Sequence, residues 1–137
     1  MLPDVPSVAL STGARMPLLG FGTWGGTDEA PRVAAAVKTA IQTGFRSIDC
    51  AEVYKNEAAI GLALEELIGS KVVSRDELFI TSKVWNTNHA KEHVRVVAHT
   101  SAGTARLPQP TRTCLAARWT GARGVQAHTR ALAHRAT

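Results

Sequence analysis

The sequence predicts an α/β protein with a parallel sheet, on three observations. Short apolar runs alternate with segments whose apolar residues recur every three or four positions. Each run and the segment after it together have about the length of one βα unit. Glycines and capping residues fall where each helix should start or stop. Strand, helix, strand, helix, strand, helix implies parallel strands joined by right-handed crossovers. A doubly wound sheet and a (β/α) barrel both begin this way. No G-x-G-x-x-G follows a strand, and the glycines of "GFGTWGG" are wrongly spaced for a dinucleotide turn, which counts against a Rossmann fold.

The elements follow in order. Val8 to Leu10 and Met16 to Leu19 flank Ser-Thr-Gly-Ala, which predicts a β-hairpin. "LLGFGT" reads as a short strand ending at Thr23–Trp24. "TDEAPRVAAAVKTAIQTG" reads as a helix capped by Thr27, with Asp28 and Glu29 at the positive end of its dipole and Pro31 in the first turn. Val33, Val37, Ala40 and Ile41 share one stripe, and Gly44 ends it. "FRSIDCA" is the next strand. Asn56 is placed to cap "NEAAIGLALEELIGS", whose apolar face is Ile60, Leu64, Leu67 and Ile68, with Gly69 near the end. "ELFITSKV" is the third strand, and "NTNHAKEHVRVVAHT" begins a third helix at Asn86 or Thr87.

Past about Thr100 the periodicity stops. Ala, Arg, Thr and Gly alternate, with Pro108 and Pro110 among them, and offer no strand candidate. A helix at "TCLAARWT" or "VQAHTRALAHRA" rests on alanine propensity alone. Charge divides the chain at the same place. Residues 1–92 hold nine Lys or Arg against eleven Asp or Glu, and residues 93–137 hold seven Arg and no Lys, Asp or Glu. We therefore read residues 1–95 as the folded domain and 96–137 as an Arg/Ala-rich tail, disordered or weakly helical.

These arginines stand singly, with Trp119 the only aromatic among them and no zinc-ligand or RNA-binding motif, so no specific nucleic-acid partner is expected. No run approaches the roughly 18 apolar residues of a membrane helix, and "MLPDVPSVAL" lacks the basic and apolar regions of a signal peptide. The expectation is a cytoplasmic protein with no membrane partner. Cys50 and Cys114 form neither a CxxC nor a disulfide framework, which fits a reducing compartment. His89 and His93 are spaced to share a helix face, but solvated histidines are the simpler reading, and no metal is expected.

In parallel βα architectures, functional residues gather where strands end and helices begin. Those ends carry Thr23–Trp24, Asp49 and Lys83, and Tyr54, the chain's single tyrosine, lies in the loop entering the second helix. A carboxylate, an ammonium and a phenol can therefore converge on one rim. A phenol has an unperturbed pKa of about 10. A nearby ammonium stabilises the phenolate, and a carboxylate holds the ammonium. Tyr54 would then be a general acid, Lys83 its activator and Asp49 the partner of Lys83, a set suited to protonating a carbonyl oxygen while hydride reaches its carbon. Taken singly, each has a plainer reading: a turn aspartate, a packing tyrosine, a solvated lysine. Glu57 reads as a helix-start acid, Glu52 as a solvated loop residue and Cys50 as a small buried hydrophobe.

"GFRSIDCAEVYKNEAAIG" (44–61) resembles the first signature of the aldo-keto reductase family. "STGARMPLLGFGTW" (11–24) resembles that family's N-terminal hairpin and first strand, and "RDELFITSKVWNTNH" (75–89) its third strand. The resemblance covers most of residues 5–95. It implies a (β/α)8 TIM barrel that uses NADPH to reduce a small carbonyl substrate, an aldehyde or ketone, to an alcohol. By the resemblance, Asp49, Tyr54 and Lys83 occupy the family's catalytic aspartate, tyrosine and lysine positions. Thr23, Trp24 and Asp49 match positions where the family approaches the nicotinamide end of the cofactor, and Trp24, Val53 and Trp85 match positions that line the family's substrate pocket.

The departures set a second expectation. The family's fourth catalytic residue is a histidine in a motif like "LDLYLIHWP", and "SAGTARLPQPTRT" stands in its place; His99, His128 and His134 have no matching context. A barrel takes roughly 200 residues or more, so a hairpin and three βα units make only its N-terminal portion. The abrupt change of composition resembles a shifted reading frame or a retained intron. The alternative function is thus a truncated, catalytically inactive fragment, acting at most as an association module through exposed strand edges.

Overall fold

Short strands with alternating side chains leave one apolar sheet face in need of cover, and here two helices supply it. The computed structural model describes residues 5–11, 13–25, 29–88, 90 and 93, and the backbone of 113–117. Strands β1 (Ser7–Ala9) and β2 (Arg15–Pro17) form an antiparallel hairpin in which Val8 faces Met16. Its turn closes with Leu10 N–H donating to the Ala14 carbonyl and Gly13 N–H to that of Leu10, with Gly13 at φ 82°. Leu10 is thereby spent on the turn, and both strands begin one residue earlier than the sequence predicts.

The main sheet is parallel. It runs β3 (Phe21–Gly22), β4 (Ser47–Asp49), β5 (Phe79–Val84), β6 (Thr113–Ala117). Phe21 pairs with Ile48, Ile48 with Ile80, and Ile80 with Thr113. Helix α1 (Ala30–Gln42) crosses from β3 to β4, and helix α2 (Glu57–Gly69) from β4 to β5.

Helix α1 buries the predicted stripe of Val33, Val37, Ala40 and Ile41, and Pro31 lies in its first turn. Its cap position is Glu29, which makes no side-chain cap bond; Thr27 and Asp28 lie outside the described residues. Gly44 follows the helix at φ 112°, a conformation that favours glycine. Helix α2 buries Ile60, Leu64 and Leu67, with Ile68 packed at the edge of the same cluster. Ile48 and Ile80 of the sheet, with Cys50, Val73 and Leu78, complete this core. Each such aliphatic side chain contributes about 1.5–3 kcal/mol when fully buried.

Strand β6 corrects the reading of the region past residue 100. The sequence suggests no strand there and a helix from residue 113, yet Thr113–Ala117 lies parallel to β5. Alanine's helix preference is a weak local term. The far edge of β5 offers a row of backbone donors and acceptors, and pairing with it overrides that preference. Of the third helix, the described residues show a one-turn 3-10 helix at Asn86–Asn88 and a helical His93 whose N–H donates to the Ala90 carbonyl at 2.9 Å; the rest of it and the helix suggested over 125–136 lie outside the described residues.

Candidate active site

Alternation along β4 and β5 decides what reaches the rim. Ile48 and Ile80 pack toward the helices, so Asp49, Thr81 and Lys83 share the opposite face. Asp49 pairs in register with Thr81, and Lys83 is two residues further along the same strand. The Lys83 ammonium donates to Asp49 Oδ1 at 2.7 Å and to the Cys50 carbonyl at 2.9 Å. An ammonium has three donors, so one remains. The centre of the Tyr54 ring is 5.2 Å from Nζ, within cation–π range. Lys83 and Asp49 are 27% and 44% exposed, so their pairing adds little to stability. Its effect is to place a cation beside a phenol.

A second network fixes the strand ends. Thr23 donates to the Asp49 carbonyl twice, from its backbone N–H at 3.1 Å and from Oγ1 at 2.9 Å. Asn56, 1% exposed, donates its side-chain amide to the Thr23 carbonyl at 2.8 Å. Asn56 does stand at the cap position of α2, but its side chain makes no cap bond and ties the helix start to β3 instead. Glu57 opens α2 as expected and accepts from Ser82 Oγ at 2.6 Å. Ser82 lies on the helix side by the parity that sends Lys83 to the rim.

Tyr54 closes a one-turn 3-10 helix (Glu52–Tyr54), followed by Lys55 in the left-handed region at φ 55°. Its ring rests against Trp24, with centroids 5.1 Å apart and planes tilted by 51°. Trp24 is otherwise open to solvent at 61% exposure. Gly25 lets Val33 of α1 approach the backbone here, since a Cβ would stand 2.5 Å from Val33 Cγ2. Beside Trp24 is a cleft of about 280 Å³ reaching Phe21, Glu29, Arg32 and Val33. Burial pushes the Cys50 thiol up to about 12 despite a hydrogen bond with Thr23, so this cysteine stays protonated and inert.

The geometry brings Asp49, Lys83, Tyr54, Thr23 and Trp24 together. Val53 lies half-buried on the Tyr54 turn, while Trp85 begins the next loop, 43% exposed, and its ring meets no other ring among the described residues. Glu52 is not the solvated residue expected. It accepts the Trp85 backbone N–H at 3.0 Å and Asn88 Nδ2 at 2.7 Å. Sequence reasoning missed Glu52 and Ser82, and gave Asn56 the wrong partner. Strand parity was the available signal for Ser82; a loop carboxylate 33 residues from its partner leaves none. His93 is exposed, and His89 lies outside the described residues. Among the described residues no cluster of three or more His, Cys, Asp or Glu could hold a metal, and no helix is long and apolar enough to cross a membrane.

A parallel βα layer with a carboxylate, an ammonium and a phenol at its strand ends is thus the class of protein in hand. Residues 18–109 match the Aldo/keto reductase family. This chain belongs to that family. Aldo-keto reductase family 1 member A1 of Mus musculus is 56% identical over 89 residues, and that of Homo sapiens 54% over 88, each match taking in 64% of this chain. The chain spans about a quarter of these relatives' length, 27% and 26%. The crystal structure of a Bombyx mori aldo-keto reductase (AKR2E4) in complex with NADP is similar over 77% of this chain and 36% of its own, with a TM-score of 0.71 and 34% identity.

Proposed function

We propose that this site serves the NADPH-dependent reduction of aldehydes or ketones to alcohols, with Tyr54 as proton donor. One observation carries the reading: Lys83 Nζ stands 2.7 Å from Asp49 Oδ1 and 5.2 Å from the centre of the Tyr54 ring. As the carbonyl oxygen gains negative charge, the Tyr54 hydroxyl gives it a proton. The Lys83 cation favours the phenolate left behind, and Asp49 keeps that cation charged and in place. A positioned acid of this kind contributes about 10²–10⁴-fold.

The rim residues fit the nicotinamide end of NADPH. Trp24 presents an open aromatic face, and the Asp49 carboxylate has an oxygen beyond the one bonded to Lys83, able to accept from a hydroxyl or an amide. Thr23 is buried and acts through its bonds to Asp49. When bound, NADPH supplies the hydride for the carbonyl carbon. Trp24, Val53 and Trp85 give a carbonyl substrate an apolar wall. We read the parallel layer as the opening strands of a (β/α)8 barrel, the fold whose strand ends carry such sites.

NADPH fluorescence titration of the purified chain, followed by its oxidation with a panel of aldehydes and ketones, tests the reading. Saturable binding with carbonyl-dependent oxidation is expected. Saturable binding with no oxidation by any carbonyl, or no binding at all, overturns it.

A further inference from the structure

We infer that Glu52 is a positioning residue that sets the place of Trp85 relative to Tyr54, and through it the choice among carbonyl substrates; the second part rests on the function proposed above. Glu52 opens the turn that ends in Tyr54. Its Oε2 accepts the Trp85 backbone N–H at 3.0 Å, and its Oε1 accepts Asn88 Nδ2 at 2.7 Å. The Trp85 carbonyl in turn accepts the Asn88 N–H at 2.9 Å. Both backbone polar groups of Trp85 are thus held, one by Glu52 and one by the turn that Glu52 also grips. The tether runs from the backbone carrying the phenol to the backbone carrying the indole.

Nothing else described does this. Lys83 joins the two strand ends one step below, but Trp85 lies past the end of β5 at Val84. Charge-assisted bonds to a carboxylate are stronger than neutral ones, and only a carboxylate offers acceptors on both oxygens. An isosteric amide keeps at most one of the two bonds. Loss of the tether frees the indole to swing, which blunts discrimination by shape: a bulky aromatic carbonyl loses its wall, and a small aliphatic one loses little.

The test uses the full chain labelled with 5-fluorotryptophan, its resonances assigned by Trp→Phe variants. Glu52→Ala is expected to shift and broaden the Trp85 resonance and leave that of Trp24 in place, with Glu52→Gln intermediate. Far-UV circular dichroism establishes that both variants fold, and Glu52→Gln, which preserves shape, decides the matter if Glu52→Ala does not. A Trp85 resonance unchanged in the folded variants overturns the tether. In turnover, KM for a bulky aromatic aldehyde should rise about tenfold, with kcat for a small aliphatic aldehyde held within about twofold; a full 1 Å misplacement can cost about 10²-fold. Equal losses on both substrates overturn the selectivity role. A wild-type chain without turnover overturns the carbonyl-reduction reading and the selectivity role with it, and the fluorine spectra still decide the tether.

Discussion

The two faces of the β4–β5 pair are built from neighbouring residues and hold together by different rules. On the helix side, Ile48, Cys50 and Ile80 meet Val37, Ile41, Ile60 and Leu64, and each side chain shares its contacts with several others. On the rim side, Asp49 and Lys83 meet each other through a single carboxylate–ammonium bond. A packed face loses stability by degrees as atoms are removed. A polar rim loses its chemistry in one step when a partner goes, while the fold beneath hardly notices. The difference separates what holds the fold from what the site does, and substitutions on each face should report it.

The largest effect should fall on the rim. Lys83→Met is expected to lower carbonyl reduction by about 10²–10⁴-fold, the range for loss of a positioned acid–base group, with little change in melting temperature because the ion pair is half-exposed. Steady-state kinetics and thermal unfolding of the same preparation check this. Leu64→Ala on the helix face should do the reverse, costing about 2–5 kcal/mol in chemical denaturation. Asn56→Ala sits between the two faces. It removes the buried bond to the Thr23 carbonyl and should cost about 1–3 kcal/mol, loosening the Asp49 end of the site as well.

The smallest effect is electrostatic and lies far from the rim. Ser74 donates its backbone N–H to Glu77 at 2.7 Å within a capping box, and these Ser74 bonds, with lesser help from Arg46, hold the Glu77 carboxyl below its ordinary value. A depressed carboxylate stabilises the fold above its unfolded pKa, and the contribution fades as pH falls through the lower folded value. Glu77→Gln should therefore lower the melting temperature slightly at pH 7 and leave it unchanged near pH 2. An equal shift at both pH values would assign the effect to shape rather than charge.

Much of this was legible in the chain. Period-three-and-four stripes marked α1 and α2 because their burial is one-sided, and the strand ends marked Asp49 and Lys83 because a parallel sheet gathers its rim there. What escaped was set by partners distant in sequence. Strand β6 exists through the edge of β5, against its own alanine-rich preference. Asn56 has the composition of a cap, but the Thr23 carbonyl, brought near by the β3–β4 pairing, takes its amide. Glu52 looks like any loop acid until the β5 turn arrives beside it.

Comparison of Tyr54→Phe with the unaltered chain, measuring NADPH affinity and carbonyl reduction together, decides whether Tyr54 is the proton donor. The phenyl ring keeps the contacts with Trp24 and the Lys83 cation and removes only the hydroxyl. NADPH affinity should stay within about twofold, with reduction lowered by about 10²–10⁴-fold. Retention of most of the turnover would contradict that role, and the proton would have to come from elsewhere.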